Sequence, residues 1–205
     1  MVACSIFSAA VSAQSSVSVY NAGDRGTVSG KTYINRGLGF EITFPDNWLI
    51  PGEELDDKVD TTLRAPENLD RPSTIQLERA LERVEVLLTA YRSAPGTAGN
   101  AILRISIEDL RPAPQIKDAV DYFDVMRSQY AVMRLPSDFK YSETNAEKLG
   151  AMQFGFLDTS NAVAKKRMYA TVRGGFALMF TLSYTKPEDL KTLRDVLASG
   201  NFNLK

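Results

Sequence analysis

The stretch Tyr33–Trp48 reads YINRGLGFEITFPDNW, and its reading decides the fold. Thr32–Asn35 and Phe40–Phe44 are short β-type runs, and Arg36-Gly37-Leu38-Gly39 between them supplies a turn. Phe40, Ile42 and Phe44 alternate with Glu41 and Thr43, which gives the second run one apolar and one polar face. Pro45 cannot donate to a β-ladder and Asp46-Asn47 favours a turn, so the strand stops there. Trp48 and Ile50 are then expected in a further paired strand. The stretch builds structure and carries no reactive group.

Toward the C-terminus, Glu53–Asp60 reads as an acidic loop, Thr61–Ala65 as a short strand and Pro66–Pro72 as loop. Thr74–Glu82 holds strong helix formers, with Ile75, Leu77 and Leu81 on one face. Val84–Tyr91 and Ala101–Ile107 are β-type runs joined through Pro95–Asn100, a predicted hairpin. A helix is expected to start at Pro112 and Pro114, burying Ile116, Ala119, Val120, Phe123, Met126 and Tyr130. Four strands follow: Phe139–Thr144, Glu147–Leu157, Lys166–Arg173 and Phe176–Tyr184, with Gly174-Gly175 turning the last hairpin. The closing helix has Thr185 as its cap, Glu188 reaching back, a stripe of Leu190, Leu193, Val196 and Leu197, and Gly200 at its end.

Toward the N-terminus, Met1–Ala13 is apolar and ends in small residues, as a secretory signal does before its cleavage site. Cleavage after Ala13 is expected, with the basic start of the signal lying upstream. A second reading takes Val2-Ala3-Cys4 as a lipobox, with Cys4 lipidated. Gln14–Gly30 is rich in Ser and Gly and reads as a flexible lead-in. No later stretch has the apolar length of a membrane-spanning helix. The expected organisation is a signal over 1–13, a lead-in over 14–30 and a single domain over 31–205.

Composition narrows the function. The 205 residues are 44% hydrophobic and 24% charged, ordinary values for a globular protein. A net charge of −1, with basic and acidic residues interspersed, argues against nucleic acid as a partner. The absence of histidine removes Ser-His-Asp and Cys-His catalysis and His-bearing zinc sites, and the single Cys4 removes an intrachain disulfide.

The chain resembles the PsbP-like family, named for an extrinsic subunit of photosystem II. The likeness lies in Tyr33, Asn35, Leu38-Gly39-Phe40, Ile42, Phe44-Pro45 and Trp48. It returns in Arg173-Gly174-Gly175, the strand Ala177–Tyr184, the helix Pro187–Ser199 and Asn201-Phe202. The resemblance implies an α+β fold, an α/β/α sandwich around a central, mainly antiparallel β-sheet. It also implies export, and a role in binding or assembly rather than catalysis. No metal or photosystem contact of the family transfers, because no matching residue motif is present.

Each remaining reactive pattern has a plainer reading. Ser137-Asp138-Phe139-Lys140 matches S-x-x-K, but it follows Pro136, leads into a strand and lacks a Lys-Thr-Gly companion, so it is expected to be a solvated loop. Asp118, Asp121 and Asp124 fall opposite the apolar helix face and are expected in water rather than in acid–base work. Glu53, Glu54, Asp56, Asp57 and Asp60 offer oxygen ligands for a weak calcium site, although their spacing fits no EF-hand. Gly37-Leu38-Gly39 lacks the third glycine of a dinucleotide loop. Lys165-Lys166-Arg167 is taken as protection of a sheet edge. Tyr91, Tyr122, Tyr130 and Tyr141 are expected in the core or on a sheet face.

No catalytic, cofactor-binding or metal-binding residue is assigned. The expected function is an exported, non-enzymatic binding or assembly protein that meets a protein partner through loops or a sheet edge. The alternative is a carrier of a small apolar ligand, held between sheet and helices near Trp48, Phe123 and Phe154.

Overall fold

Strand alternation of the kind seen in Phe40–Thr43 recurs along the chain and builds two antiparallel sheets. The computed structural model describes residues 23–51 and 71–204. The smaller sheet joins β1 (Thr27–Ser29), β2 (Thr32–Asn35) and β3 (Phe40–Thr43) in that order. The larger sheet has the order β4 (Val84–Tyr91), β5 (Ile102–Asp109), β10 (Phe176–Tyr184), β9 (Lys165–Arg173), β8 (Met152–Ser160). The short β6 (Lys140–Tyr141) and β7 (Asn145–Leu149) both pair with β8. Three helices complete the described residues: α1 (Arg71–Leu81), α2 (Ala119–Val132) and α3 (Pro187–Ser199). The fold is α+β with a central antiparallel sheet and helices on both faces, as expected.

The two faces of the large sheet are packed differently. On one, α3 and the small sheet cover Leu103, Ile105, Phe154, Tyr169, Leu178, Phe180 and Leu182. Phe40, Phe180 and Phe202 meet there with ring centroids 5.8–6.0 Å apart, and Phe154 joins Phe180 at 6.2 Å and Phe202 at 5.4 Å. On the other face α2 lays Ala119, Tyr122 and Phe123 over Leu157, Met168, Ala170, Ala177 and Met179. Gly155 admits this approach: a Cβ at that position would stand 2.7 Å from the Cβ of Ala119.

The opening stretch is the corner that ties these parts together. Asn35, fully buried, donates from Nδ2 to the Asp24 carbonyl at 2.6 Å and accepts from Leu38 N–H at 2.7 Å. The Tyr33 hydroxyl donates to the Arg25 carbonyl at 2.6 Å, and Lys31 Nζ donates to the Trp48 carbonyl at 2.6 Å. Arg173 donates to the carbonyls of Leu38 at 3.3 Å and Phe202 at 3.0 Å, binding the turn to the chain after α3. These residues of the PsbP-like pattern are therefore turn locks and core plugs.

Several expectations are corrected. Part of the lead-in 14–30 is structured, because Thr27–Ser29 finds β2 as an antiparallel partner. Trp48 and Ile50 do not sit in a strand; Leu49 makes a single bridge to Tyr91. The helix expected from Pro112 begins at Ala119, since Asp118 accepts from the N–H groups of Val120 and Asp121 and supplies the cap. Val120 is consequently exposed and Tyr122 takes its place inside. Ile75 on α1 is exposed as well.

Phe139–Thr144 shortens to β6, and Glu147–Leu157 splits into β7 and β8 around the turn Gly150-Ala151. Thr185 does not cap α3. Lys186 holds that position without a side-chain bond, and the Thr185 hydroxyl donates instead to the Gly99 carbonyl at 3.3 Å. Gly200 is extended at φ −68° rather than left-handed; its lack of a Cβ makes room for Phe202 and Ile42. Gly174 and Gly175, at φ 58° and 83°, do provide the tight hairpin expected of them. The calcium candidates Glu53, Glu54, Asp56, Asp57 and Asp60, the strand expected at Thr61–Ala65 and the signal at Met1–Ala13 with Cys4 lie outside the described residues.

Candidate functional site

α2 carries apolar side chains on its outer as well as its inner side, and what it leaves outside is a surface feature in its own right. With Ala119, Tyr122 and Phe123 inward, the spacing of 3.6 residues per turn brings Val125, Ser128, Gln129 and Val132 onto the solvent side. A hollow of about 480 Å3 runs past Asp121, Asp124, Val125, Ser128 and Val132. A second of about 490 Å3 opens between α1 and α2, lined by Pro72, Ile75, Arg79, Ala80 and Arg83. Gln129 borders both, so the two hollows lie side by side and make up a shallow groove along α2 that this side chain divides. Its apolar side chains face water: Val132 is 73% exposed, Ile75 40% and Val125 38%.

A polar lock holds the groove in shape. The Tyr122 hydroxyl donates to Glu108 Oε2 on β5 at 2.7 Å, and Arg83, just past α1, pairs with Glu108 Oε1 at 3.2 Å. Burial, and then the Glu108 carboxylate, pushes the Tyr122 hydroxyl well above its ordinary pKa, which keeps it a donor. Arg134 N–H donates to the Ser73 hydroxyl at 3.0 Å, so the start of α1 lies by the end of α2 and the two helices run in opposite senses. Below them Tyr130, Phe139 and Tyr141 form an aromatic cluster with centroids 5.4–6.4 Å apart; burial raises Tyr130 to about 12.

The sequence-level candidates take structural places. Asp118 caps α2, Asp121 accepts from Lys117 N–H at 2.9 Å, and Asp124 accepts from the Thr144 hydroxyl at 2.6 Å. The last two border the groove. Ser137 sits in a turn and Lys140 in β6, both exposed, so neither stands at the helix start that S-x-x-K chemistry uses. Gly37-Leu38-Gly39 is a turn closed by Gly39 N–H to the Arg36 carbonyl at 3.1 Å.

Lys165-Lys166-Arg167 does not protect an edge, because β9 lies between β10 and β8. Arg167 there grips Asp158 and lies 4.3 Å from the Phe156 ring centroid. Tyr91 and Tyr122 are buried, while Tyr130 and Tyr141 belong to the aromatic cluster. The three residues of the carrier alternative are divided by the sheet: Trp48 and Phe154 lie in the core on one side and Phe123 in the core on the other. Phe123 and Phe154 have no exposed surface and Trp48 keeps 2%.

Residue types alone did not point to the groove or the Glu108–Tyr122–Arg83 lock. The available signal was Glu108 in line with Arg104 and Ser106 on one face of an otherwise apolar strand, a polar row that requires partners.

No family model matches the chain, and no curated protein does. Among solved structures it is similar to the solution structure of cyanobacterial PsbP (CyanoP) from Synechocystis sp. PCC 6803. The identity is 15%, over 85% of this chain and 95% of that one, with a TM-score of 0.44. It is also similar to a crystal structure from Bacteroides thetaiotaomicron VPI-5482 at 12% identity over 85% of this chain, with a TM-score of 0.43; the chain spans 48% of that protein's length.

Proposed function

We propose that this chain is an exported, non-enzymatic binding or assembly protein, and that a protein partner docks in the groove of α1 and α2. The observation that carries this reading is the groove itself, with exposed Val125, Val132 and Ile75 between the acids Asp121 and Asp124 and the bases Arg79 and Arg83. Apolar anchors rimmed by charge suit protein recognition, where buried anchors supply affinity and rim charges supply orientation. The groove is open and its side chains are not convergent, which suits a surface-to-surface contact better than enclosure of a small molecule. No helix among the described residues is long and apolar enough to cross a membrane.

A photo-crosslinking residue placed at Val132 in intact cells tests the reading, with Val163, 81% exposed in the turn between β8 and β9, as the control. A discrete adduct from Val132 and none from Val163 supports it. Equal labelling at both positions, or none at Val132, overturns it. Export is tested separately: sequencing of the mature protein is expected to begin near Gln14.

A further inference from the structure

The two hollows of the helix groove carry opposite charge. The one along α2 is bordered by Asp121 and Asp124, the one along α1 by Arg79 and Arg83. Two contacts fix how the helices stand beside each other. Arg83 meets Glu108, which also holds Tyr122 near the start of α2, and Ser73 accepts from Arg134 just past its end. Helical rise then places Arg79 about 6 Å along the axis from Arg83, level with Asp124 and Val125. Ile75 falls about 6 Å further on, toward the level of Val132. Each level of α2 is thus matched on α1: Asp121 by Arg83, Asp124 by Arg79, Val132 by Ile75.

Within one chain the charged borders do not pair with each other. Arg83 holds Glu108, while Thr144 and Arg127 both engage Oδ1 of Asp124. Asp124 Oδ2 and the Arg79 guanidinium bond to nothing among the described residues. Gln129 stands between the two hollows.

We propose that a second copy of this chain fits the groove, with a two-fold axis parallel to the helices and passing over Gln129. Rotation about such an axis keeps every residue at its own level and exchanges the two sides. The acidic hollow of one copy then lies on the basic hollow of the other, and Val132 of each lies on Ile75 of its partner. The two Gln129 amides meet on the axis, where each can donate and accept. α2 faces the partner's α1 in the antiparallel sense, as in a four-helix bundle. An extended segment fits less well, because helical backbone groups bond within the helix and offer no strand edge. The inference rests on the docking reading for the groove being a contact surface, and it names what covers that surface in the free protein. The patch is only two helix faces wide, so a dimer that dissociates on dilution is expected.

Sedimentation equilibrium of the full-length chain over a wide concentration range tests the pairing. A reversible monomer–dimer equilibrium is expected, weakened by salt because the flanking contacts are charged and exposed. Arg79→Glu and Asp124→Lys, both at exposed positions, each set like charges against one another in both symmetric contacts. Either change alone is expected to weaken dimerisation roughly tenfold or more. An equimolar mixture of the two variants is expected to recover dimer, since the mixed pair has one native and one reversed contact, both attractive. Recovery also shows that both variants are folded. In cells, a Val132 adduct at twice the chain's own mass supports the pairing. A chain monomeric at every concentration, a dimer indifferent to Arg79→Glu, or no recovery in the mixture overturns it. A Val132 adduct of any other mass, from a chain that stays monomeric, overturns the pairing and leaves the docking reading standing.

Discussion

The two faces of the large sheet are made from the same strands and have been filled to opposite ends. Under α3 and the small sheet the side chains are aromatic and aliphatic, interlocked through Phe40, Phe154, Phe180 and Phe202. Under α2 the apolar cluster is smaller, and the same face carries Glu108, Ser106, Thr89, Arg104 and Lys166. Polar groups on a packed face cost desolvation unless partnered. The α3 face keeps its polar groups, Arg167 with Asp158 and Arg173 with the carbonyls of Leu38 and Phe202, around a large apolar centre, whereas the α2 face carries more of them beside a smaller one. The difference teaches that apolar packing is concentrated on the α3 side, and the proposed docking groove lies on the α2 side.

The comparison breaks most visibly at the aromatic cluster. Phe180→Ala is expected to cost about 3–5 kcal/mol, the usual range for emptying a packed aromatic site. Urea unfolding followed by Trp48, the single tryptophan, reads it directly. A loss no larger than that of an exposed substitution would mean that the α3 face is not the stabilising one.

On the other face the largest single effect is expected at the lock. Tyr122→Phe removes the donor to Glu108 and is expected to cost about 1.5–3 kcal/mol, as for a hydrogen bond to a charged group. The same variant is expected to speed amide exchange in α1 and α2 more than in α3, because Glu108 joins those elements.

A smaller and pH-dependent effect is expected at Asp189. Its carboxylate is 2% exposed at the start of α3 and pairs with Arg92 at 3.0 Å. Burial raises its pKa and Arg92 opposes that rise without overcoming it. A raised carboxyl pKa means that the folded state holds the proton more tightly than the unfolded one. The stabilisation is therefore present below the ordinary carboxylate range and is lost as pH climbs through the raised value. Unfolding midpoints of the wild type relative to Asp189→Asn are expected to fall as pH rises from that range toward neutrality. A difference that grows with pH would reverse the sign and contradict the assignment.

The smallest stability effect is expected where the functional effect is greatest. Val132→Glu alters a side chain that is 73% exposed and is expected to shift stability by no more than about 0.5 kcal/mol. Crosslinking of a partner along α2 is expected to be lost in that variant. A large stability loss would show that Val132 packs against the protein's own core.

Much of this architecture was legible in the chain because strand alternation has a period of two and tight turns need special residues. Alternation places Phe40–Phe44, of which Phe40–Thr43 is strand, β-branched and aliphatic composition places Val84–Tyr91, and Gly174-Gly175 places the turn before Phe176–Tyr184. What alternation does not tell is which of two apolar faces a residue joins. Trp48, Phe123 and Phe154 were grouped as one pocket although the sheet divides them. Local capping signals were also overruled by tertiary partners. Thr185 had a capping-box neighbour in Glu188, yet its hydroxyl is drawn to Gly99 across the β4–β5 loop. Lys165–Arg167 had the composition of an edge, and only strand order reveals that β9 is interior. The groove was least legible, since it depends on α1 lying beside α2, a long-range contact that no local pattern encodes.

Hydrogen–deuterium exchange of the protein alone and in the presence of the cell-envelope fraction tests the division of faces most directly, because it surveys every surface at once. The account predicts added protection along Pro72–Arg83 and Ala119–Val132, with α3 and β1–β3 unchanged. Protection confined to α3 or to the exposed edge of β7, with none on α1 and α2, would contradict it.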